Sequence, residues 1–406
     1  MQILWISHFL LFPETGYGGL QRSRNLLKVL SKYHDIHLVC YYRNNDKIFV
    51  PDIKLAEKDL KNYCKNVYII PHELSNTQKA FRMLKSVVTR TPYSAYIYRS
   101  SQLLKESLKL ISDKSIDLMH SDTIGMIEPI IDNISIIKVL THHDIESHKM
   151  HRRYENEENL LKRIFFLQEY MALRRYEKKY CVMYDSNIAV SDMDKNRLQE
   201  IDKRIKINVI QNGVDCEYFT YHPRDDMSRE LIFIGALDYY PNAKAMLYFC
   251  DKIWPILKRK YPELRLTIIG KNPPAQLRSL GQDGNDINIL GYVEDIRPHM
   301  KRATIFICPI MEGGGTRIKI LDAFSQGIPV VSTIVGAEGL DLQKGKHILL
   351  ADTVTEFVDR VSDLLENEEL SKSMSLCARE FVEQNYSYNI IGKKMATVYN
   401  EMVEKT

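Results

Sequence analysis

Within eleven residues the stretch EGGGTRIKILD gathers Glu312, Gly313, Gly314, Gly315, Thr316, Arg317, Lys319 and Asp322. A plain helix start needs a cap and perhaps one glycine, so this set points to chemistry. Consecutive glycines after the apolar run TIFICPI let backbone N–H groups approach an anion, and a helix beginning near Thr316 adds its positive dipole end. Arg317 and Lys319 supply charge where a diphosphate would lie. Asp322, one turn into the helix, can accept two hydroxyl hydrogen bonds, as a ribose requires. The competing reading is a surface loop with solvated charges.

A second glycine loop, FPETGYGGLQRSRNLL, sets Gly16, Gly18 and Gly19 before a helix from about Leu20. Its spacing is not GxGxxG, and no acidic residue stands about 20 positions on, which argues against a dinucleotide site. Either it is a turn, or Gly18 and Gly19 let an N-terminal domain approach phosphates held elsewhere. VLTHHDIESHKMHRR ends a strand with His142, His143 and Asp144. His148 and His151 follow, but nothing completes a zinc pattern, so no metal is expected and His143 reads as a polar contact to substrate. Gly235, Gly270 with Lys271, and Gly291 with Tyr292 and Val293 each close an apolar run. Singly they are turn chemistry; their recurrence on one sheet edge favours a ligand crevice.

The elements that must position these groups are short β-branched runs alternating with helical patterns. QILWIS, IHLVCYY, NVYIIP, DLMHSD, IIKVLTH and SNIAVS form one series; INVIQN, LIFIGA, LRLTIIG, INILGYV, TIFICPI, IPVVST and HILLA form another. Continuous apolar strands of this kind belong to parallel sheets covered on both faces. The expected fold class is α/β, with two doubly wound, Rossmann-like parallel-sheet domains facing a cleft and ligands at the carboxyl ends of the strands. The break falls near residues 211–230, giving domains of 1–210 and 211–385 and a terminal helix in 386–406. The run NEENLLKRIFFLQEYMALRRYEKKY reads as one long helix. Its Arg174, Arg175, Lys178 and Lys179 are either cations on a helix C-terminus or a basic face toward anionic lipid.

At 406 residues two domains are the natural reading, and 45% apolar with 27% charged residues describes an ordinary globular chain. The net charge of +4 splits into 30 Lys+Arg against 24 Asp+Glu over residues 1–200 and 26 against 28 thereafter. So mild a bias suits anionic ligands or a membrane surface and excludes a nucleic-acid binder. Seven scattered cysteines without a CxxC pair imply reduced thiols and a cytoplasmic protein, with a peripheral place at the inner membrane face left open. MQILWISHFLLF lacks a basic leader and reads as a strand, and no run of 18 apolar residues would span a membrane. Residues 72–100, basic and aromatic, suit a lipid-linked oligosaccharide or equally a solvated helix.

The ordered series GYGGLQRSRNLL, HHDIES, SNIAVSDMDKNRL, VIQNGVDCEYF, FIGALDYYPNAKAMLYF, LGYVEDIRP, GGGTRIKILDAFSQGIPVVST and VGAEGL resembles the retaining glycosyltransferases of family 4. That resemblance covers nearly the whole chain. It implies the GT-B fold, a nucleotide-diphosphate sugar donor held mainly by the C-terminal domain, a glycan or lipid-linked acceptor, and a last helix crossing back to the first domain. By position, Asp322 matches the family's ribose-binding carboxylate, usually Glu, and His143 the histidine near the reacting carbon. Glu312 resembles the first carboxylate of the family pair, at a spacing of ten instead of eight; either the glycine loop absorbs two residues or Glu312 is a different group. Ala236 and Asn242 stand where the family has a cationic pair, so Arg317 and Lys319 are expected to neutralise phosphate, without metal or cofactor. Gly18, Gly19, Gly235, Lys271, Tyr292, Val293, Gly313, Gly314, Gly315 and Thr316 complete the expected donor site. A nucleotide-sugar epimerase and a silent nucleotide-sugar-binding partner of an assembly complex are the competing functions.

Overall fold

The computed structural model describes residues 1–13, 18–43, 46, 50, 52–126, 134–223, 229–282, 284, 286–312 and 317–404. The chain divides into two compact units, Met1–Gln211 with Ile391–Thr406, and Asn212–Ile390. In the first unit β1 (Gln2–Ser7), β2 (Asp35–Tyr42), β3 (Asn66–Pro71), β4 (Leu118–Ser121), β5 (Ile137–Thr141), β6 (Ser186–Ala189) and β7 (Ile207–Val209) form a seven-stranded sheet. Its order is β3-β2-β1-β4-β5-β6-β7, and every pairing is parallel. β1 is buried from Ile3 through Ser7 without alternation, because helices cover both of its faces.

The second unit repeats the scheme with β8 (Glu230–Ile234), β9 (Arg265–Ile269), β10 (Ile287–Gly291), β11 (Ile305–Cys308), β12 (Val330–Ser332) and β13 (Leu349–Leu350). Here the order is β10-β9-β8-β11-β12-β13, again wholly parallel. Each sheet therefore reverses its winding beside its first strand, between β1 and β4 and between β8 and β11. At such a switch point the loops after the two strands diverge to opposite faces and leave a crevice between them.

One expected strand changes company. INVIQN, grouped above with the second series, supplies β7, which pairs with β6 and closes the first sheet. The long amphipathic run forms one helix, Leu160–Tyr180, as expected. A helix at Glu146–Asn156 ends before the next begins at Leu160, where the Asn159 side chain accepts from Lys162 N at 3.1 Å and caps Leu160–Tyr180. At the far end of that helix Arg174 donates to the Glu200 carbonyl at 3.4 Å, and Lys179 Nζ donates to the Tyr180 hydroxyl at 3.1 Å.

The helix Gly18–Leu30 follows β1 and turns its arginines inward. Arg22 donates to the carbonyls of Gln211 and Ile210 at 2.5 and 2.6 Å, and Arg24 donates to Leu11 O at 2.7 Å and to Asp59 at 2.8 Å. Those cations satisfy backbone carbonyls that follow β1 and β7 and a carboxylate, a structural use of charge in a buried setting. The last helix, Tyr388–Glu404, begins in the second unit and ends in the first. Among the described residues no helix is long and apolar enough to cross a membrane.

Candidate active site

In the second unit the helices after the two central strands carry the charged groups. Tyr240–Tyr248 follows β8, its start eased by Pro241, and Ile318–Ser325 follows β11 with Arg317 at its N-cap. Lys319 Nζ donates to Asn242 Oδ1 at 2.9 Å, and Asn242 Nδ2 donates to the Ala236 carbonyl at 2.8 Å. Lys244 pairs with Glu312 at 3.2 Å. Two side chains from one helix thus meet two groups that follow β11, across the switch point.

Gly235, first residue past β8, makes room for this. A Cβ there would lie 2.5 Å from Lys319 Nζ and 2.9 Å from Asn242 Nδ2. At Gly270 it would lie 1.9 Å from the Gly235 carbonyl oxygen, so the two strand ends approach as only glycine allows.

Arg317 is 7% exposed. Burial draws the Lys319 ammonium down to about 8, with Arg317 pushing the same way, while its Nζ lies 4.5 Å from the Phe233 ring centroid. Asp322, on the same helix, is pushed up to about 7 by burial, an effect that Lys319 opposes. No hydrogen bond reaches its side chain among the described residues. A cation and a carboxyl poised near neutrality beside a switch point can exchange this strained environment for a ligand's phosphate and hydroxyls.

The expected site residues sort by place. Gly235, Lys319, Arg317, Asp322 and Glu312 all belong to the loops and helices after β8 and β11. Lys271, past β9, sits 3.5 Å from Asp238, to which Asn272 Nδ2 also donates at 3.1 Å. Tyr292 and Val293 follow β10, the edge strand, with β9 between it and β8; Tyr292 is exposed and Val293 packs on the core. Gly313, Gly314, Gly315 and Thr316, like Gly16, lie outside the described residues.

In the first unit Gly18 opens its helix and Gly19 lies against the Phe9 ring and His143. His143 follows β5; its Nε2 lies 3.5 Å from Asp122 Oδ1 and 3.4 Å from Ser23 Oγ, and its Nδ1 is buried without a hydrogen-bond partner. Asp122, just past β4, also accepts from Trp5 Nε1 at 3.2 Å and from His120 Nε2 at 3.4 Å. Burial would raise this carboxyl; the hydrogen bonds from His120 and His143 outweigh burial and hold it well below the usual carboxylate range. A carboxylate only accepts, so both histidines carry their proton on Nε2. His120 Nδ1 is then the acceptor for the Tyr399 hydroxyl at 2.5 Å. His142 turns the other way, bonding Asn187 at 3.0 Å, and burial takes it down to about 4.

Sequence reasoning passed over Asp122, His120, Tyr399 and Asn242. Asp122 had a usable signal, since it ends the run DLMHSD and strand ends at a switch point are where ligand groups collect. Asn242 was noted only as a missing cation; its partner Lys319 is 77 residues away.

Two Rossmann-type sheets, each with a polar cluster past its central strands, define the GT-B class. Residues 228–367, about a third of the chain, match the family model of the glycosyl transferases group 1, and the fold is GT-B. An uncharacterized 44.6 kDa protein in the cps region of Klebsiella pneumoniae is 25% identical over 388 residues, 92% of this chain and 94% of that protein. A phosphatidyl-myo-inositol mannosyltransferase of Mycobacterium leprae is 25% identical over 52% of this chain and 58% of its own length. Among solved structures, the sucrose-phosphate synthase of Thermosynechococcus elongatus superposes with a TM-score of 0.71 at 13% identity, each chain covered in full.

Proposed function

We propose that this chain is a glycosyltransferase that moves a sugar from a nucleotide-diphosphate donor to a glycan or lipid-linked acceptor, with retention at the anomeric carbon, in cell-surface polysaccharide synthesis on the cytoplasmic side. The observation that carries the reading is the Lys319–Asn242 contact over Gly235 at the β8–β11 switch point, with Arg317 and Asp322 on the same helix start. The match to a protein of a cps region supports polysaccharide synthesis, and the likeness to a phosphatidyl-myo-inositol mannosyltransferase supports a lipid acceptor.

In this reading Asp322 accepts the ribose hydroxyls, and Arg317 and Lys319 face the diphosphate, helped by the N–H groups of residues 313–315. Lys271, Tyr292 and Val293 border the nucleotide. The bond from the anomeric carbon to the phosphate oxygen breaks, and negative charge collects on the departing diphosphate. Preorganised cations placed where that charge grows lower the barrier. The acceptor hydroxyl then bonds the anomeric carbon on the face just vacated, and its proton passes to the leaving phosphate oxygen. His143 holds the sugar, while Glu312, paired with Lys244, orients sugar hydroxyls. The charge needed is on these side chains, so the scheme calls on no cofactor beyond the donor.

A thermal-shift screen against a panel of nucleotide sugars identifies the donor. With it, Arg317→Ala should lower turnover by at least ~10²-fold, the scale of losing one preorganised charge-stabilising group. Turnover within about threefold of wild type would remove Arg317 from the mechanism. Asp322→Ala should weaken nucleotide binding in calorimetry; unchanged affinity would place the ribose elsewhere.

A further inference from the structure

The helix Asn76–Thr89 buries a single residue, Ser86. That face is anchored. Ser86 Oγ donates to Glu169 at 3.2 Å, Arg82 donates to the carbonyls of Tyr96 and Ile97 at 2.6 and 3.2 Å, and the Thr89 hydroxyl lies 3.0 Å from that of Tyr96. At 100° per residue, Phe81, Leu84 and Val88 fall on the side opposite Ser86. They are 68%, 63% and 74% exposed, and Met83 and Val87 beside them are also open. Scattered exposed hydrophobics are normal; a stripe of them on one outward helix face is not.

The charge carried by this segment itself is of one sign, although Glu73 precedes it and Glu169 meets its anchored face. Residues 74–99 hold Lys79, Arg82, Lys85, Arg90 and Arg99 and not one Asp or Glu. The helix is also firmly started and stopped, with a Ser75–Gln78 capping box and Arg90 in the left-handed region at φ 55°. A capped helix with phenylalanine and leucine on its outward face and no carboxylate of its own suits the plane of an anionic bilayer.

We infer that Asn76–Thr89 docks the protein on an anionic lipid surface, inserting Phe81, Leu84 and Val88 while Lys85 on the flank of the stripe and Arg90 at the helix end meet lipid phosphates. A second copy of the chain fits poorly. A two-fold contact would set these cations against their own copies, and one 14-residue helix face falls short of the roughly 800 Å² per partner that a stable interface needs. The exposed Leu160, Leu161 and Ile164 start the helix whose Glu169 meets Ser86, and the inferred contact does not include them. The inference gives a purpose to the lipid-linked acceptor proposed above, and rests on that reading for its purpose only.

The test is co-sedimentation of the full chain with vesicles of phosphatidylcholine carrying about a third phosphatidylglycerol, in the absence of donor and acceptor. Wild type should pellet with these and stay in solution with pure phosphatidylcholine. Phe81→Ser with Leu84→Ser and Val88→Ser should lower the partition coefficient by at least ~10-fold at an unchanged melting temperature. Lys85→Glu should lower it by about fivefold or more, the effect of one cation at an anionic surface, and 0.5 M salt should do likewise. Leu161→Ser should leave it unchanged. No binding by wild type, an unaltered triple variant, or an equal loss with Leu161→Ser would each overturn the assignment. A wild-type dimer that the triple variant converts to monomer in gel filtration would make the stripe a self-interface instead. Because vesicle binding is read without turnover, failure here leaves the transferase reading standing, and a dead transferase that still binds vesicles leaves this one.

Discussion

A lysine drawn down to about 8 and a carboxyl pushed up to about 7, three residues apart, leave a narrow range of pH in which both are charged. Asp322 must be ionised to accept two ribose hydroxyls, so nucleotide affinity should fall as pH drops below about 7 and the free protein holds a proton there. Lys319 must be protonated to face phosphate, so affinity should fall again above about 8. Calorimetric Kd values for the bound nucleotide should therefore be tightest between the two, weakening by up to about tenfold per pH unit on either side. Asp322→Asn should flatten the acid limb and Lys319→Met the alkaline one; a Kd constant from pH 6 to 9 would dismiss both roles. The residue types at 317, 319 and 322 were legible in the sequence, because their spacing from a strand end is local. What they touch was not. That Lys319 reaches Asn242, or that Asp122 lies under His143, depends on which strands are neighbours, and residue periodicity carries no information about pairing.

Strands and helices show the same division. The apolar runs announced the thirteen strands found among the described residues, most clearly the central ones that are covered on both faces, but INVIQN could not declare which sheet it would join. The long amphipathic run at 156–180 did form one helix, Leu160–Tyr180, because its apolar positions keep a helical period; a separate helix, Glu146–Asn156, precedes it. Their ends remote from the connection hold a second poised carboxyl. Glu177, fully buried on the longer helix, accepts from Ser147 N at 3.0 Å at the start of the shorter one. Burial raises it from 4.5 to about 7. A carboxyl raised on folding contributes stability that is complete below its unfolded value and is lost as pH rises through its folded value, so above about 7 the native state carries a buried charge at a cost. Glu177→Gln keeps the acceptor and removes the charge. It should raise the melting temperature at pH 8.5, corresponding to on the order of 1–3 kcal/mol, with the gain gone by pH 5. A gain of equal size at both pH values would mean that packing, not ionisation, is responsible.

Across the whole molecule, the chain returns to its first unit through Tyr388–Glu404, and Tyr399 on that helix begins a buried hydrogen-bond chain: Tyr399 to His120, His120 to Asp122, with His143 on the same carboxylate. The last helix therefore helps fix the proton positions of the histidine proposed to hold the sugar, while the groups proposed for the nucleotide all belong to the second unit. This division of labour predicts a split in the kinetics. Tyr399→Phe removes the donor to His120 Nδ1 and leaves a buried acceptor unmet, at a cost of about 1–3 kcal/mol in stability. Asp122→Asn replaces a pure acceptor with a group that can also donate, and so frees the tautomers of His120 and His143. Both variants should lower kcat by severalfold or more, Asp122→Asn the more strongly, while nucleotide Kd stays within about twofold of wild type. Asp322→Ala should do the reverse, weakening nucleotide binding first. If Asp122→Asn weakened the nucleotide as much as Asp322→Ala does, the two units would not divide the donor between nucleotide and sugar, and His143 would lose its assigned part.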